Sequence, residues 1–166
     1  SVRFVDGAEI PYLGRPLRLH LDATVTRPEL RETSDGIVLF INDAGDNDEA
    51  RIKDWAQSWF KNEAKRYIGA RLLAISEASG LKYRGWALSS AKGRWGSCSS
   101  DKKIRLNWRL IHLAPEIIDY VISHELAHLQ HMDHSPAFWA KVGELFPNYE
   151  SARAQLKGVY IPTLPF

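Results

Sequence analysis

Pro115-Glu-Ile-Ile-Asp-Tyr-Val-Ile-Ser-His124-Glu125-Leu-Ala-His128 opens on a proline suited to the first position of a helix and continues with an acidic residue suited to its positive end. His124 and His128 are four apart, about 400° round a helix, so their rings project within ~40° of each other and can hold one ion. Glu125 lies ~100° round from His124, beside such an ion rather than on it, where a general base for metal-held water belongs. With His124 taken as 0°, Ile117, Val121, Ile118, Leu129, Ile122 and Leu126 fall between ~20° and ~200°. The metal face therefore adjoins the core face. Only Asp119, Gln130, Ser123 and Glu116 form a polar stripe, so most of the helix is expected to be buried. Two imidazoles and a carboxylate in such a setting are costly without a metal or other partners.

Zinc needs a third protein ligand and leaves its fourth position open for water. His131, Asp133, His134 and Glu144 are available. His134 is preferred, because it lies far enough beyond His128 to return after a turn. Ser135-Pro136 follows it as cap and first residue of another helix, which carries Phe138, Trp139, Val142 and Leu145 toward the core. Glu144 on that helix is the alternative. The His-Glu-x-x-His-x5-His spacing also fits the metzincins, but His131 fills their glycine position. Their downstream Met-turn is missing too, since Met132 is the only methionine.

Upstream, Tyr83 to Leu110 contains Trp86-Ala-Leu88, a glycine-spaced Lys92-Gly-Arg94-Trp95-Gly96-Ser-Cys98, the turn Ser99 to Lys102, and Ile104-x-Leu106-x-Trp108-x-Leu110. The period-two alternation after residue 103 predicts a strand paired with the one before the turn. From Glu49 to Ala78, Ile52, Trp55, Trp59, Phe60, Ala64, Tyr67, Ile68, Leu72 and Ile75 recur mostly at three- and four-residue steps, with Gly80 as a stop, which predicts one long amphipathic helix. The first forty or so residues read as a β-hairpin or meander: Ile10 to Leu13, a turn at Gly14-Arg-Pro16, Leu17 to Leu21, then Asp35-Gly36 as the tightest turn before Ile37 to Ile41.

At 166 residues, 45% hydrophobic and 25% charged, the chain is sized for one domain able to bury its own core, and no linker or repeat divides it. Cys98 is the only cysteine, which excludes an internal disulfide and favours a reducing, cytoplasmic setting. No apolar run approaches a membrane span. The net charge of +2 is too small to imply a polyanion partner, but it is uneven. Eight basic residues against Asp101 alone give 82–109 a net +7 and leave the remainder at −5. Such a stripe is ordinarily a solvated sheet face, with nucleic-acid contact as the less common meaning.

Taken together, Arg94-Trp-Gly-Ser-Cys98, Ile104-x-Leu-Asn107-Trp-x-Leu110, Ala114-Pro115, Asp119-Tyr-Val121, His124-Glu-Leu-Ala-His128 and Asp133-His-Ser135-x-x-Phe138-Trp139 resemble the YgjP-like metallopeptidase family, relatives of the SprT-type zincins. The similarity runs over essentially the whole chain. It implies an α+β, zincin-like domain: a β-rich N-terminal segment over 1–45, a long helix over 49–79, then a small mixed or antiparallel sheet with zinc-site helices over 82–166. It also implies Zn2+ held by His124, His128 and His134, with Glu125 as base, and it names no substrate.

The expected activity is hydrolysis of a peptide or protein substrate by water activated at zinc by Glu125. The strand around Ile104 to Trp108 is a candidate edge for an extended substrate, and Arg94 and Asn107 are candidate cleft residues. Trp95 reads more readily as core, and Cys98 as a small buried hydrophobe rather than an inhibitory thiolate. Tyr149, His131 and His112 are available to stabilise an oxyanion. His20 is remote from every motif, and the tail Val159 to Phe166 either packs on the surface or covers the cleft. Two other readings are a peptidase acting on nucleic-acid-associated proteins and a non-catalytic, zinc-stabilised binding protein. A structural zinc site has no use for a base such as Glu125 and would usually supply four ligands.

Overall fold

A computed structural model describes residues 2–166. It is an α+β structure with two separate sheets and four helices. The N-terminal sheet comprises β1 (Glu9–Tyr12), β2 (Arg15–Asp22), β3 (Glu29–Thr33) and β4 (Gly36–Asn42), in the order β1-β2-β4-β3. It is not the expected meander, because β2 and β4 run parallel, pairing Leu17 with Ile37 through Asp22 with Asn42. The two turns also shift. Thr33 pairs directly with Gly36, so Ser34-Asp35 forms the tight turn and Gly36 already belongs to β4. Leu13 and Gly14, at φ 50° and 75°, form the β1–β2 turn, and Pro16 lies inside β2.

The expected long helix is α1 (Glu49–Ser79), about 46 Å at 1.5 Å per residue. Asp48 caps its start by accepting from the Arg51 amide, and Gly80 ends it at φ 75°. Its buried residues are Ile52, Ala56, Phe60, Ala64, Ile68, Leu72 and Ser76, a strict four-residue series. Trp55, one of the apolar residues in the predicted helical pattern, falls outside this series and is 37% exposed. Near its middle, α1 meets the second sheet so closely that a Cβ on Gly69 would lie 2.8 Å from the Trp86 ring.

The second sheet holds β5 (Gly85–Ser89), β6 (Gly96–Cys98) and β7 (Lys103–Asn107), ordered β5-β7-β6. β7 pairs antiparallel with β6 as expected, but it also pairs parallel with β5. The strand proposed as a free edge is therefore the central one, and β5 and β6 are the edges. A 3-10 turn over Trp108–His112 leads into α2 (Pro115–Ala127), followed by α3 (Pro136–Leu145) and α4 (Tyr149–Lys157). The bidentate Arg71–Asp119 pair, both contacts at 2.9 Å, ties α2 to α1.

The turn of the first hairpin reaches the entry of α2. Leu13 and Gly14 amides donate to the Ile111 and His112 carbonyls, and a Cβ on Gly14 would sit 3.0 Å from the Ala114 backbone. The C-terminal tail packs on this same side of the molecule rather than over the cleft. The Phe166 ring stacks on His112 and touches Phe4, Phe60 and Trp108, while Arg109 donates to the Phe166 carbonyl. No helix is long and apolar enough to cross a membrane.

Candidate metal centre

Pro115 occupies the first turn of α2, and Glu116 sits beside it as expected. The helix ends at Ala127, so His128 is its C-cap while Leu129 and Gln130 lie beyond it. Burial is more complete than the helical wheel suggests. Ser123, assigned to the polar stripe, is 0% exposed and donates back to the Asp119 carbonyl. Ser135 caps α3 by accepting from the Phe138 amide, with Pro136 in the first turn. Phe138 and Val142 are buried, whereas Trp139 and Leu145 are only half-buried.

This junction returns His134 to α2. Donor atoms of His124, His128 and His134 all lie within 4.8 Å of one another, close enough to share one ion. Neither His131 nor Asp133 nor Glu144 joins that group. Glu144 is exposed and accepts from Lys141, and His131 contributes its main chain, its carbonyl lying 2.9 Å from Nδ1 of His128. That contact orients the His128 ring and leaves Nε2 for a metal. Burial moves the His128 pKa below the usual imidazole value despite this hydrogen bond, which keeps the ring a neutral donor. Phe138 stacks on His128, and Trp139 flanks both His124 and His134, so aromatic rings fix the imidazole planes.

Glu125 is a carboxylate with a side chain only 6% exposed. Its one polar contact among the described residues is Nδ1 of His124 at 3.3 Å. A buried carboxylate so poorly partnered is expensive unless a cation or bound water completes it. Together with the three imidazoles, it fits a zinc-type ion with one open position.

A recess of about 220 Å³ contains the three histidines, Glu125, and Gly96 to Cys98 from β6. The importance of Gly96 was not anticipated. A Cβ there would stand 2.9 Å from Oε2 and 3.0 Å from Cγ of Glu125, so the absence of a side chain makes room for the Glu125 carboxylate. The glycine-spaced segment was conspicuous, but spacing alone does not reveal which side chain crosses it. Tyr120 was missed as well, although it lies one helical turn before His124 and hence on nearly the same face. Its ring meets His124 edge-on at 6.1 Å.

Other expected cleft residues lie elsewhere. Asn107 is 0% exposed; its amide donates to the Ala91 and Arg94 carbonyls, and its oxygen accepts from the Arg109 amide. It holds the β5–β6 loop rather than a substrate. Arg94 is exposed and lines neither recess beside Glu125. Cys98 does line the metal recess. Burial first, then Glu125 and Asp101, push its thiol up to about 11, and it stands outside the donor group. His112 is removed from consideration as an oxyanion donor: it is 1% exposed, bonded through Nδ1 to the Pro11 carbonyl and stacked on Phe166. Tyr149 stacks on Trp139 and donates to Glu150. His20 contacts Asp6 and Phe40 in the N-terminal sheet.

The family model described as YgjP-like, metallopeptidase domain, matches residues 1–158. Among solved structures, the chain is similar to the metallopeptidase zymogen abylysin of Pyrococcus abyssi, at 23% identity and TM-score 0.49, covering 54% of this chain and 90% of that one. The metallopeptidase zymogen jannalysin of Methanocaldococcus jannaschii gives 23% identity and TM-score 0.47, covering 54% and 91%. No curated protein matches the chain.

Proposed function

The chain belongs to the YgjP-like metallopeptidase family, and on that premise we propose that it hydrolyses peptide bonds with Zn2+ held by His124, His128 and His134 and Glu125 as general base. The supporting observation is the meeting of three imidazole donors within 4.8 Å beside a buried, under-partnered carboxylate. Zinc in such a site acidifies water and polarises a carbonyl. Glu125 takes the proton from the attacking water and delivers it to the departing amine nitrogen. The surrounding Phe138 and Trp139 rings hold the imidazoles in place. The free edge of β6, rather than β7, is available to pair with an extended substrate beside Glu125.

The test is metal content and chelator-reversible proteolysis of the parent, Glu125→Gln and His134→Ala. One zinc per chain, weakened in His134→Ala, with cleavage lost and zinc retained in Glu125→Gln, is the expected result. An active Glu125→Gln variant would refute the assigned base.

A second reading concerns the substrate's setting. Lys82, Arg84, Lys92, Arg94, Lys102 and Arg105 are exposed and without a carboxylate within 4.0 Å among the described residues. Arg109, by contrast, is buried. This surface supports a peptidase working on proteins attached to nucleic acid. DNA binding that weakens steeply with salt is expected on that reading, and absence of binding removes it.

A further inference from the structure

Adjoining the histidine recess at Glu125 lies a second hollow of about 180 Å³, bounded by Trp95 and Gly96, Tyr120, Val121, His124 and Glu125 of α2, and Leu156 of α4. His124, Glu125 and Gly96 line both hollows, so the two adjoin across the reacting centre. At about 30 Å³ per liquid water, the second has room for roughly six waters, the size of one medium side chain. Trp95, Val121 and Leu156 give it an apolar side, while Tyr120, His124 and Glu125 give it a polar one, and the Glu125 carboxylate disfavours an anionic occupant.

Besides His124 and Glu125, the wall carries a third polar group. Tyr120 is 4% exposed, and its hydroxyl has no hydrogen-bond partner among the described residues. Yet that hydroxyl is absent from the fully sealed, unpartnered polar atoms, which are Trp108 Nε1 and His112 Nε2. The residue is buried and lines the hollow, and its hydroxyl is not sealed in the core. A buried phenol left without a protein partner is a donor awaiting an acceptor.

We propose that this hollow is the specificity pocket of the peptidase and that it takes one neutral substrate side chain next to the scissile bond. The preferred occupant has an aliphatic stem against Trp95, Val121 and Leu156 and an acceptor at its tip for the Tyr120 hydroxyl, as glutamine has. Leucine fits the walls but strands the hydroxyl, and glutamate brings a second carboxylate toward Glu125. Covering an unpartnered hydroxyl with hydrocarbon reduces the preference for leucine by about tenfold relative to glutamine. This assignment rests on the peptidase reading above.

The test digests a complex peptide mixture with the zinc-loaded parent, Tyr120→Phe and Leu156→Trp, and reads the cleavage sites by mass spectrometry. In parallel, N-acetylglutamine amide and N-acetylleucine amide are titrated into zinc-loaded Glu125→Gln while the Trp95 indole is followed by NMR. The expected profile favours glutamine at one fixed position, loses that preference about tenfold in Tyr120→Phe, and shifts to glycine or alanine in Leu156→Trp. Cleavage with the same profile in all three proteins overturns the pocket while leaving the peptidase reading intact. If no peptide is cut but glutamine amide still shifts Trp95, and does so more weakly once Tyr120→Phe is added, the pocket stands and the peptidase reading falls. An unmoved Trp95 in the absence of cleavage overturns both.

Discussion

Gly96→Ala tests the geometry most directly, because it adds one methyl at the place where β6 and the proposed base touch. The new Cβ would lie 2.9 Å from Glu125 Oε2, 3.0 Å from its Cγ and 3.1 Å from the Arg105 carbonyl, whereas ordinary contact begins at 3.4 Å. The strand has little freedom to retreat, since Gly96 to Cys98 are paired with Leu106 to Ile104 of β7. Glu125 is the mobile partner, and restoring contact displaces its carboxylate by roughly 0.5 to 1 Å. Misplacement by about 1 Å costs on the order of a hundredfold in rate, equivalent to ~2.7 kcal/mol of transition-state stabilisation. The stability cost is about 1–3 kcal/mol, the usual range for overpacking. The assay is kcat/KM on a cleaved peptide, together with zinc stoichiometry and the thermal transition. A loss in kcat with zinc retained is expected. A Gly96→Ala protein with full zinc and parental kcat/KM would refute the claim that this glycine makes room for the base.

Ser135→Ala removes the α3 cap immediately after His134 and should cost about 1 kcal/mol of stability by chemical denaturation, with weaker zinc retention in a chelator competition. Gly69→Ala drives a methyl to 2.8 Å from the Trp86 ring and should destabilise by about 1–3 kcal/mol while leaving zinc stoichiometry at one. His112 is pushed down to about 4, chiefly by burial. The unfolded chain therefore takes up a proton near pH 6.5 that the folded chain refuses until about pH 4, and stability is lost as pH falls through that window. The full difference is roughly 3 kcal/mol. Urea titrations between pH 7 and 4 should show a fall that is absent in a folded His112→Gln variant.

Periodicity exposed the elements whose physics is local. The end of α1 followed from Gly80 and the start of α2 from Pro115. His-Glu-x-x-His placed two rings on one face, and Ser135-Pro136 marked the junction that brings His134 back. Strand neighbours were less legible, because alternation in β7 says which face is buried but not whether one edge or both are paired. The parallel β2–β4 ladder likewise depends on contacts distant in sequence. Asn107 illustrates the same gap: a polar residue beside an apolar run reads as cleft, but its amide is consumed by three main-chain partners. Gly96 and Tyr120 acquire meaning only once β6 is laid across α2.

The first hairpin has a bearing on modularity. All three histidines and Glu125 come from the last third of the chain, which invites the idea that the metal-binding half could be excised and used alone. Leu13 and Gly14 instead satisfy carbonyls at the threshold of α2, and Pro11 accepts from His112 just before it. A cut after the N-terminal sheet would strand those main-chain groups beside the helix that carries His124 and His128 and open the face where Tyr12 packs on Phe60. Chemistry is concentrated at one end of this polypeptide, but the scaffolding for that chemistry is distributed, so a smaller catalytic module would need a substitute for the hairpin.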